Sequence, residues 1–336
     1  MPNPIEPVLL ANALRNGDRQ ALARAITLLE STRSDHRRSA VELLSCLTPL
    51  EDKSIRLGIS GVPGVGKSTF IESFGSHLIE LGHRVAVLTI DPTSALSGGS
   101  ILGDKTRMTG LSRHPNAYIR PSPTKGALGG VARRTRESIL VCEAAGFDVV
   151  VVETVGVGQS EISVSNMTDM FILLLLPGGG DELQGIKRGI MELADLVLVN
   201  KADGALEEVA GQTCMQYANA LRLIQPRSNS WKVPVAACSA LENKGIALVG
   251  QHVTAYRDTM LQNGELQERR SKQSRQWLWD ETIDGVVDSL RNDPGMKQRV
   301  SELEKAVMAG DILACEAAQE LVRGFRGHPL HQGGNK

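Results

Sequence analysis

The chain has 336 residues, enough for one large domain with helical additions. Its 37 Lys and Arg residues nearly balance its 38 Asp and Glu residues, and the formal net charge of −1 gives no reason to expect a nucleic-acid partner. Aromatic residues make up only 3% of the chain, which argues against stacking platforms for bases or sugars.

The first fifty residues predict helices, because "DRQALARAITLLES" and "RRSAVELLSCL" repeat apolar residues every three or four positions. From Ile55 onward, short apolar runs alternate with longer amphipathic stretches. These runs are "IRLGIS", "RVAVLTID", "DVVVVET", "MFILLLLP", "ADLVLVNK" and "VPVAACSA". Strands that are apolar almost throughout and are separated by helices predict an α/β fold, in which helices cover both faces of a mostly parallel sheet.

Strand patterns stop after about residue 248, and the remaining sequence is charged with apolar residues at helical spacing. We therefore predict an N-terminal helical segment (1–50), a central α/β domain (51–250) that contains the phosphate-binding stretch discussed below, a C-terminal helical arm (251–327) and a flexible tail (328–336). The basic runs "RRTR" (133–136) and "ERRSKQSR" (268–275) are typical of solvated helix faces. "WLW" (277–279) indicates helix packing or a dimer interface.

Nothing in the sequence predicts secretion or a membrane span. The five cysteines form no C-x-x-C pair, which favours a reducing compartment over a disulfide framework. The N-terminus lacks the pattern of a secretory signal, and the longest apolar run is far shorter than the roughly 20 residues that span a bilayer. We expect a soluble cytoplasmic protein.

The stretch "GVPGVGKST" lies between an apolar run and a helical pattern, and it matches the phosphate-binding P-loop G-x-x-x-x-G-K-[ST]. Backbone N–H groups of such a loop surround phosphate oxygens, and the following helix adds its positive N-terminus. Lys67 would contact the β- and γ-phosphates, and Ser68 would offer its hydroxyl to Mg²⁺. The alternative is a glycine-rich turn without function. The predicted phosphate-binding residues are Gly61, Val62, Pro63, Gly64, Val65, Gly66, Lys67, Ser68 and Thr69.

The motif "NKAD" directly follows the run "ADLVLV" and predicts recognition of guanine. The Asp203 carboxylate can accept two hydrogen bonds from the N1–H and N2–H₂ edge of guanine, whereas adenine would leave it buried and unpaired. The predicted base-binding residues are Asn200, Lys201 and Asp203, joined by Ser239, Ala240 and Leu241 of "CSALENKG", which can present backbone N–H groups to the guanine carbonyl.

Three carboxylates are candidates for the metal and the attacking water. Glu153 ends the run "DVVVVET", and Gly156 follows it where it could sense the γ-phosphate. Asp91 ends "RVAVLTI", and Asp104 lies in a later turn. Together with Ser68, the residues Asp91, Asp104 and Glu153 form the predicted magnesium site. The alternative for both aspartates is a capping or turn role.

The ordered motifs "GVPGVGKST", "TIDPTS", "GDKTRM", "ETVGVGQSE", "PGGGDELQGIKRGIMELAD", "NKAD" and "SAL" resemble the methylmalonyl-CoA mutase-associated GTPase chaperones. These are bacterial relatives of the human cobalamin type A protein, long called arginine/ornithine transport kinases. The resemblance implies a homodimer paired through C-terminal helices. It also implies that the protein binds GTP with Mg²⁺ and hydrolyses it. The implied partner is an adenosylcobalamin-dependent acyl-CoA mutase, with methylmalonyl-CoA mutase favoured. The protein would gate adenosylcobalamin loading of that enzyme and protect it from inactivation.

The resemblance matches Lys67, Ser68, Asp91, Asp104 and Glu153 to the family's phosphate and magnesium groups, and residues 178–188 to its mobile loop. In that loop, Lys187 or Arg188 could approach developing negative charge. The alternative is a solvated glycine loop. The predicted catalytic residues are Lys67, Asp91, Glu153 and Lys187.

Val157 stands where small GTPases carry their water-orienting Gln, and Gln159 comes later. We therefore expect slow intrinsic hydrolysis that a partner accelerates.

Two other function classes stay open on the sequence alone. A transport-coupled kinase would need a phosphoacceptor site. A GTP-dependent metallochaperone would need closely spaced Cys or His ligands, and only His328 and His331 have such spacing.

Overall fold

The computed structural model describes residues 6–31, 33–48, 53–91, 108–123, 128–154, 160–178 and 188–327. Seven strands form one parallel sheet: β1 Ile55–Gly61, β2 Val85–Asp91, β3 Ala117–Pro123, β4 Val149–Thr154, β5 Met170–Leu175, β6 Leu196–Val199 and β7 Val235–Ala237. Their order across the sheet is β3-β2-β4-β1-β5-β6-β7. The predicted α/β class with a parallel central sheet is confirmed.

Helices precede, cover and follow the sheet. Their bounds are α1 Pro7–Arg15, α2 Arg19–Glu30, α3 Ser34–Leu47, α4 Lys67–Glu80, α5 Thr109–Arg113, α6 Leu128–Ala144, α7 Ser160–Ser165, α8 Arg188–Met191, α9 Glu207–Leu221, α10 Ile246–Gln262, α11 Glu265–Asn292, α12 Lys297–Ala309 and α13 Ala314–Gly327. A 3₁₀ turn at Gly204–Leu206 precedes α9. No helix in the described ranges combines the length and apolar character needed to cross a bilayer.

The sheet is buried on both faces, which explains its nearly continuous apolar strands. Every residue of β4 and β5 is buried. Alternate side chains of β2 enter different cores: Leu88 packs into the core that includes α2, α3 and α6, whereas Val87 packs into the core that includes α4 and α10. Each fully buried side chain of this size contributes about 1.5–3 kcal/mol.

The strand β3 was not predicted, because its sequence "AYIRPSP" contains two prolines. Pro121 pairs with Thr89 and Pro123 with Asp91 at the end of the strand order. Proline lacks a backbone N–H, so it is tolerated on an edge strand, where one side of the backbone needs no ladder hydrogen bonds. The edge position therefore permits a strand that its composition argues against.

The N-terminal helices belong to the sheet's own core. Asp18 caps α2 by accepting hydrogen bonds from the backbone N–H groups of Gln20 and Ala21, at 2.7 and 3.2 Å. Helices α2 and α3 pack against α6, and their buried leucines join the core on that face of the sheet.

The chain divides into two compact units, Met1–Gln273 and Ser274–Lys336. The division falls inside α11, and the predicted four-segment division with its boundary at residue 251 stays a prediction. In the second unit, α12 pairs with α13, with Leu303 and Ala317 buried and Arg299 bonded to Glu320.

The basic run at residues 268–275 was expected to be solvated, and this prediction was wrong at two positions. Arg269 donates hydrogen bonds of 2.9 and 3.2 Å to Asp195, and Arg270 donates bonds of 2.9 and 2.6 Å to Asp169. Both carboxylates are buried where β5 and β6 begin, so the arginines fasten the start of α11 to the sheet. Removing one partner of a buried pair costs about 3–5 kcal/mol.

The run at residues 133–136 was also expected to be solvated. Thr135 and Arg136 are buried, so that prediction was wrong there as well. In both runs, helical periodicity gave no indication that the charged positions face the protein interior.

Candidate active site

The phosphate loop joins the carboxyl end of β1 to the first residue of α4, Lys67. Two of its glycines have left-handed backbone conformations, with φ of +80° at Gly64 and +93° at Gly66. Gly61 is required for a different reason, since a Cβ there would lie 2.5 Å from the Leu174 carbonyl oxygen. The glycines thus allow a tight turn that ends directly at a helix N-terminus, as phosphate binding requires.

The Lys67 ammonium lies inside the phosphate loop and is hydrogen-bonded to the backbone of that loop. Its Nζ donates hydrogen bonds to the carbonyl oxygens of Gly61 at 2.8 Å and Val62 at 3.3 Å. The residue is only 8% exposed. Burial lowers the pKa of Lys67, while the carboxylates of Glu153 and Glu161 oppose that effect. A buried cation of this kind gains favourable interactions when a phosphate approaches.

Two oxygen groups meet beside the loop where β4 ends. The Ser68 hydroxyl lies 3.3 Å from Glu153 Oε1, and Glu153 is buried between β1 and β2, which flank its strand. A hydroxyl and a carboxylate are the hard oxygen ligands that Mg²⁺ prefers, directly or through water. This pair fits the predicted magnesium site. Among the described residues, no group of three or more Cys, His, Asp or Glu side chains is arranged to hold a metal ion by itself.

Asn200 joins the phosphate loop to the segments that are predicted to bind the base. Its Nδ2 donates a 2.8 Å hydrogen bond to the Val65 carbonyl, and its Oδ1 accepts a 3.1 Å bond from the Ala240 N–H. The side chain is buried, so both bonds are shielded from water. A Cβ on Gly66 would lie 2.8 Å from Asn200 Nδ2, so glycine is also needed at that position for this approach.

The segments at residues 200–203 and 239–241, which are predicted to bind the base, lie side by side and form what we call the base-reading edge. Asp203 Oδ2 accepts a hydrogen bond from the Ser239 hydroxyl, whose oxygen accepts a 3.2 Å bond from the Glu242 N–H. The Ala202 N–H donates a 3.0 Å bond to the Cys238 carbonyl, which fastens the two segments together. Lys201 has φ of +61°, an uncommon left-handed conformation for a non-glycine residue. Leu241 is 79% exposed beside this edge.

The structure therefore brings together the predicted phosphate-binding residues 61–69, Glu153 and the base-reading residues. The predicted residues Asp104, Gly156 and Lys187 lie outside the described residues. Asp91 ends β2 at the same edge of the sheet, but its side chain also lies outside them.

Glu161 was not singled out from the sequence. It is buried at the start of α7, and its charge acts on Lys67. The motif "ETVGVGQSE" ends at Glu161, but the spacing of that motif gives no indication that this carboxylate lies near Lys67.

A family model described as "Methylmalonyl Co-A mutase-associated GTPase MeaB" matches residues 22–295. A probable GTPase of Mycobacterium tuberculosis is 54% identical over 313 residues, covering 93% of this chain and 93% of its own length. The mitochondrial methylmalonic aciduria type A homolog of Mus musculus is 46% identical over 327 residues, covering 94% of this chain and 79% of its own length.

The solved crystal structure of a LAO/AO transport system kinase is 35% identical with a TM-score of 0.74 and covers 96% of this chain and 100% of its own. These similarities extend well beyond the phosphate loop, and they confirm the resemblance that the sequence motifs indicate. The chain therefore belongs to the methylmalonyl-CoA mutase-associated GTPase (MeaB) family, and it is a GTPase.

Proposed function

We propose that this GTPase is a chaperone for an adenosylcobalamin-dependent acyl-CoA mutase, with methylmalonyl-CoA mutase as the favoured partner. In this role it gates cofactor loading and protects the mutase from inactivation. The observation that carries the proposal is the family match over residues 22–295, because the family description names association with that mutase. The joined phosphate and base loops support GTP as the controlling ligand.

Each described site group has a distinct role in the proposal. Lys67 binds the β- and γ-phosphates and stabilises the charge that grows on them during hydrolysis. Ser68 and Glu153 hold Mg²⁺, which neutralises the phosphate oxygens when it is bound. Asp203 accepts hydrogen bonds from the N1–H and N2–H₂ groups of guanine, and the Ser239 hydroxyl holds the Asp203 carboxylate in place. Beyond the described residues, Asp91 and Asp104 complete the metal site, Gly156 contacts the γ-phosphate, and Lys187 approaches the transferred phosphoryl group.

Hydrolysis by the isolated protein is proposed to be slow. Val157 occupies the position of the water-orienting Gln of small GTPases, so the chain does not offer that group at that place. The mutase accelerates hydrolysis by ordering the loops around the nucleotide. The protein acts as a homodimer formed through the C-terminal helices, and the dimer presents these loops to the mutase.

The decisive experiment measures adenosylcobalamin loading of purified methylmalonyl-CoA mutase with GTP, GDP and a non-hydrolysable GTP analogue. Loading that depends on the nucleotide and on this chain supports the proposal, and loading indifferent to either contradicts it. The variant Asp203→Asn tests whether the effect passes through this site. Asparagine presents an amide that matches the base edge of xanthine, so loading by this variant should require XTP in place of GTP. Asp258→Asn, at an exposed position on α10, should keep the GTP requirement.

A transport-coupled kinase is the second candidate, because the solved structure at 35% identity is described as a transport system kinase. GTP labelled at the γ-phosphate separates the two functions. Label recovered as free phosphate fits a GTPase chaperone, whereas label transferred to a small molecule or a protein fits a kinase.

A further inference from the structure

A second cleft lies at the amino ends of the parallel strands, whereas the phosphate loop lies at their carboxyl ends. Asn200 follows the carboxyl end of β6, whereas the cleft includes Ala194, just before β6 begins, and Val235, the first residue of β7. The cleft has a volume of about 690 Å³. Sites for small molecules typically have roughly 300–1,000 Å³. The cleft is therefore large enough for one small organic molecule.

The walls of this cleft combine an apolar floor with a basic rim. Apolar side chains come from α8, α9 and the segment before β7, among them Met191, Leu221, Ile224, Trp231 and Val233. Three cations, Arg222, Arg227 and Lys232, line the same cleft, together with one carboxylate, Glu192. The excess of positive charge beside an apolar surface is complementary to a molecule with an anionic group and an apolar body.

The Arg227 guanidinium is a partly enclosed cation whose carboxylate partner is shared with other groups. It donates a 2.8 Å hydrogen bond to the Leu193 carbonyl and lies 3.8 Å from Asp195 Oδ2. That carboxylate already accepts two bonds from Arg269 and a 2.9 Å bond from the Phe171 N–H. The Arg227 side chain is only 26% exposed, and burial lowers its pKa. An anion in the cleft would complete the interactions of this guanidinium.

The cleft is held in shape by hydrogen bonds that a ligand does not need to form. The Trp231 indole N–H donates a 2.8 Å bond to the Asp195 carbonyl, which fixes the ring. Hydrogen bonds from the hydroxyls of Ser228 and Ser230 lower the pKa of Glu265, the first residue of α11. A preformed site loses less conformational entropy when it binds a ligand.

We propose that this cleft is a binding site for a small amphipathic anion. The apolar body of the ligand lies against Ile224 and Trp231, and its carboxylate, phosphate or sulfonate group binds Arg227 with the rim cations Arg222 and Lys232. The ligand would contact α8, which directly follows the loop that carries Lys187 in the sequence. The proposal does not depend on the chaperone function, because the site lies at the amino ends of the strands.

Two fluorescent probes test the proposal on the full-length protein. 8-Anilinonaphthalene-1-sulfonate carries an apolar body and one anionic group, and N-phenyl-1-naphthylamine has the same body without the charge. We expect saturable binding of the sulfonate at one site, at least about tenfold tighter than binding of the neutral probe, because only the sulfonate can accept charge-assisted bonds from the cleft cations. Equal binding of the two probes would overturn the assignment of an anion site.

Variants then locate the binding. The double variant Arg222→Glu, Lys232→Glu reverses two rim charges, and Ala218→Trp fills the cleft from α9. Each should weaken sulfonate binding by about tenfold or more. The matched control Arg24→Glu, Arg291→Glu makes the same charge change at exposed positions outside the cleft and should leave binding unchanged. Circular dichroism and GDP binding identify any misfolded variant. Unchanged sulfonate binding in either folded cleft variant would overturn the location, whatever the outcome of the mutase experiment.

Discussion

Two glycines of the phosphate loop, Gly64 and Gly66, share a left-handed backbone but differ in the space around them. A Cβ on Gly64 would meet no atom within 4 Å, whereas one on Gly66 would lie 2.8 Å from Asn200 Nδ2. We predict that both alanine variants suffer backbone strain of about 1–2 kcal/mol. Gly66→Ala should lose about 1–3 kcal/mol more, because Asn200 must move.

Urea unfolding without nucleotide measures this difference, with Gly64→Ala as the matched control. Because Asn200 joins the phosphate loop to Ala240, Gly66→Ala should also weaken GDP binding through the base-reading edge. Equal stability of the two variants would show that the Asn200 contact does not constrain the loop.

Lys67 gives the apoprotein a characteristic pH dependence. Burial lowers its pKa below the ordinary value of 10.5. Below the lowered pKa, the folded and unfolded chains both carry the proton, and the folded state bears the full cost of the buried charge. Between the two pKa values the unfolded chain binds more protons, so the free energy of unfolding rises with pH there. We predict that wild-type stability improves relative to Lys67→Met as the pH rises from the lowered pKa toward the ordinary value of 10.5.

Urea unfolding at several pH values, without nucleotide, tests the prediction for Lys67. Lys305→Met removes a lysine from an exposed helix position and corrects for general charge effects. A flat difference between wild type and Lys67→Met, after this correction, would contradict a depressed pKa.

At the residue scale, the sequence predicted those parts of the site that lie within short motifs. Lys67, Asn200 and Asp203 belong to short patterns that follow apolar runs, and spacing and position together predict a phosphate loop and a guanine-binding segment. The bond from Asn200 to Val65 could not be predicted, because it joins residues far apart in the chain. Glu161 was missed for the same reason, since only tertiary structure places its charge near Lys67.

Helix α4 also holds a second element in place. Glu72 Oε1 accepts hydrogen bonds from the backbone N–H groups of Gly110 at 2.8 Å and Leu111 at 3.0 Å, which fixes the first turn of α5. Leu111 is buried against Gly75, where a Cβ would lie 2.9 Å from its side chain. Glu72 therefore fixes α5 to the phosphate-loop helix, and in the sequence α5 comes shortly after Asp104.

We predict that Glu72→Ala raises the Mg²⁺ concentration needed for half-maximal GTP hydrolysis, because Asp104 is a proposed metal ligand. Loss of two bonds to a charged acceptor should also lower stability by about 1.5–3 kcal/mol. Glu72→Gln keeps a carbonyl acceptor and should give intermediate values, while Glu80→Ala, exposed at the end of the same helix, should resemble wild type. Steady-state hydrolysis against Mg²⁺ concentration measures the effect. Lower stability with an unchanged Mg²⁺ requirement would leave Glu72 a purely structural role.

At the element scale, patterns predicted six of the seven described strands, including the edge strand β7, and failed at the other edge strand, β3. The runs that became β1, β2, β4, β5 and β6 are apolar because both of their faces are buried, whereas β7 is only partly buried. Strand β3 escaped notice because its prolines argue against a strand, and only the edge position makes them acceptable. The charged start of α11 was misjudged because Arg269 and Arg270 find buried carboxylates from other elements.

For the whole molecule, the composition of α11 changes along its length. Its 28 residues extend for about 42 Å. The first part binds Asp169 and Asp195 through Arg269 and Arg270. Beyond Gln273 the helix instead exposes large apolar side chains at Leu278, Trp279, Ile283, Val286 and Val287. Exposed apolar groups at this density indicate a surface that a partner covers.

We predict that the covering partner is a second copy of the chain, as the proposed homodimer requires. Trp279 and Ile283 are 57% and 58% exposed and lie four residues apart, so they occupy one side of α11. The double variant Trp279→Glu, Ile283→Glu would bury four charges in a symmetric interface and should shift the protein to monomer in sedimentation velocity. Met308→Glu, Leu313→Glu replaces two apolar side chains that are also exposed in the second unit, outside α11, and should leave the dimer intact. A dimer unaffected by the first variant, or lost in the second, would place the interface elsewhere.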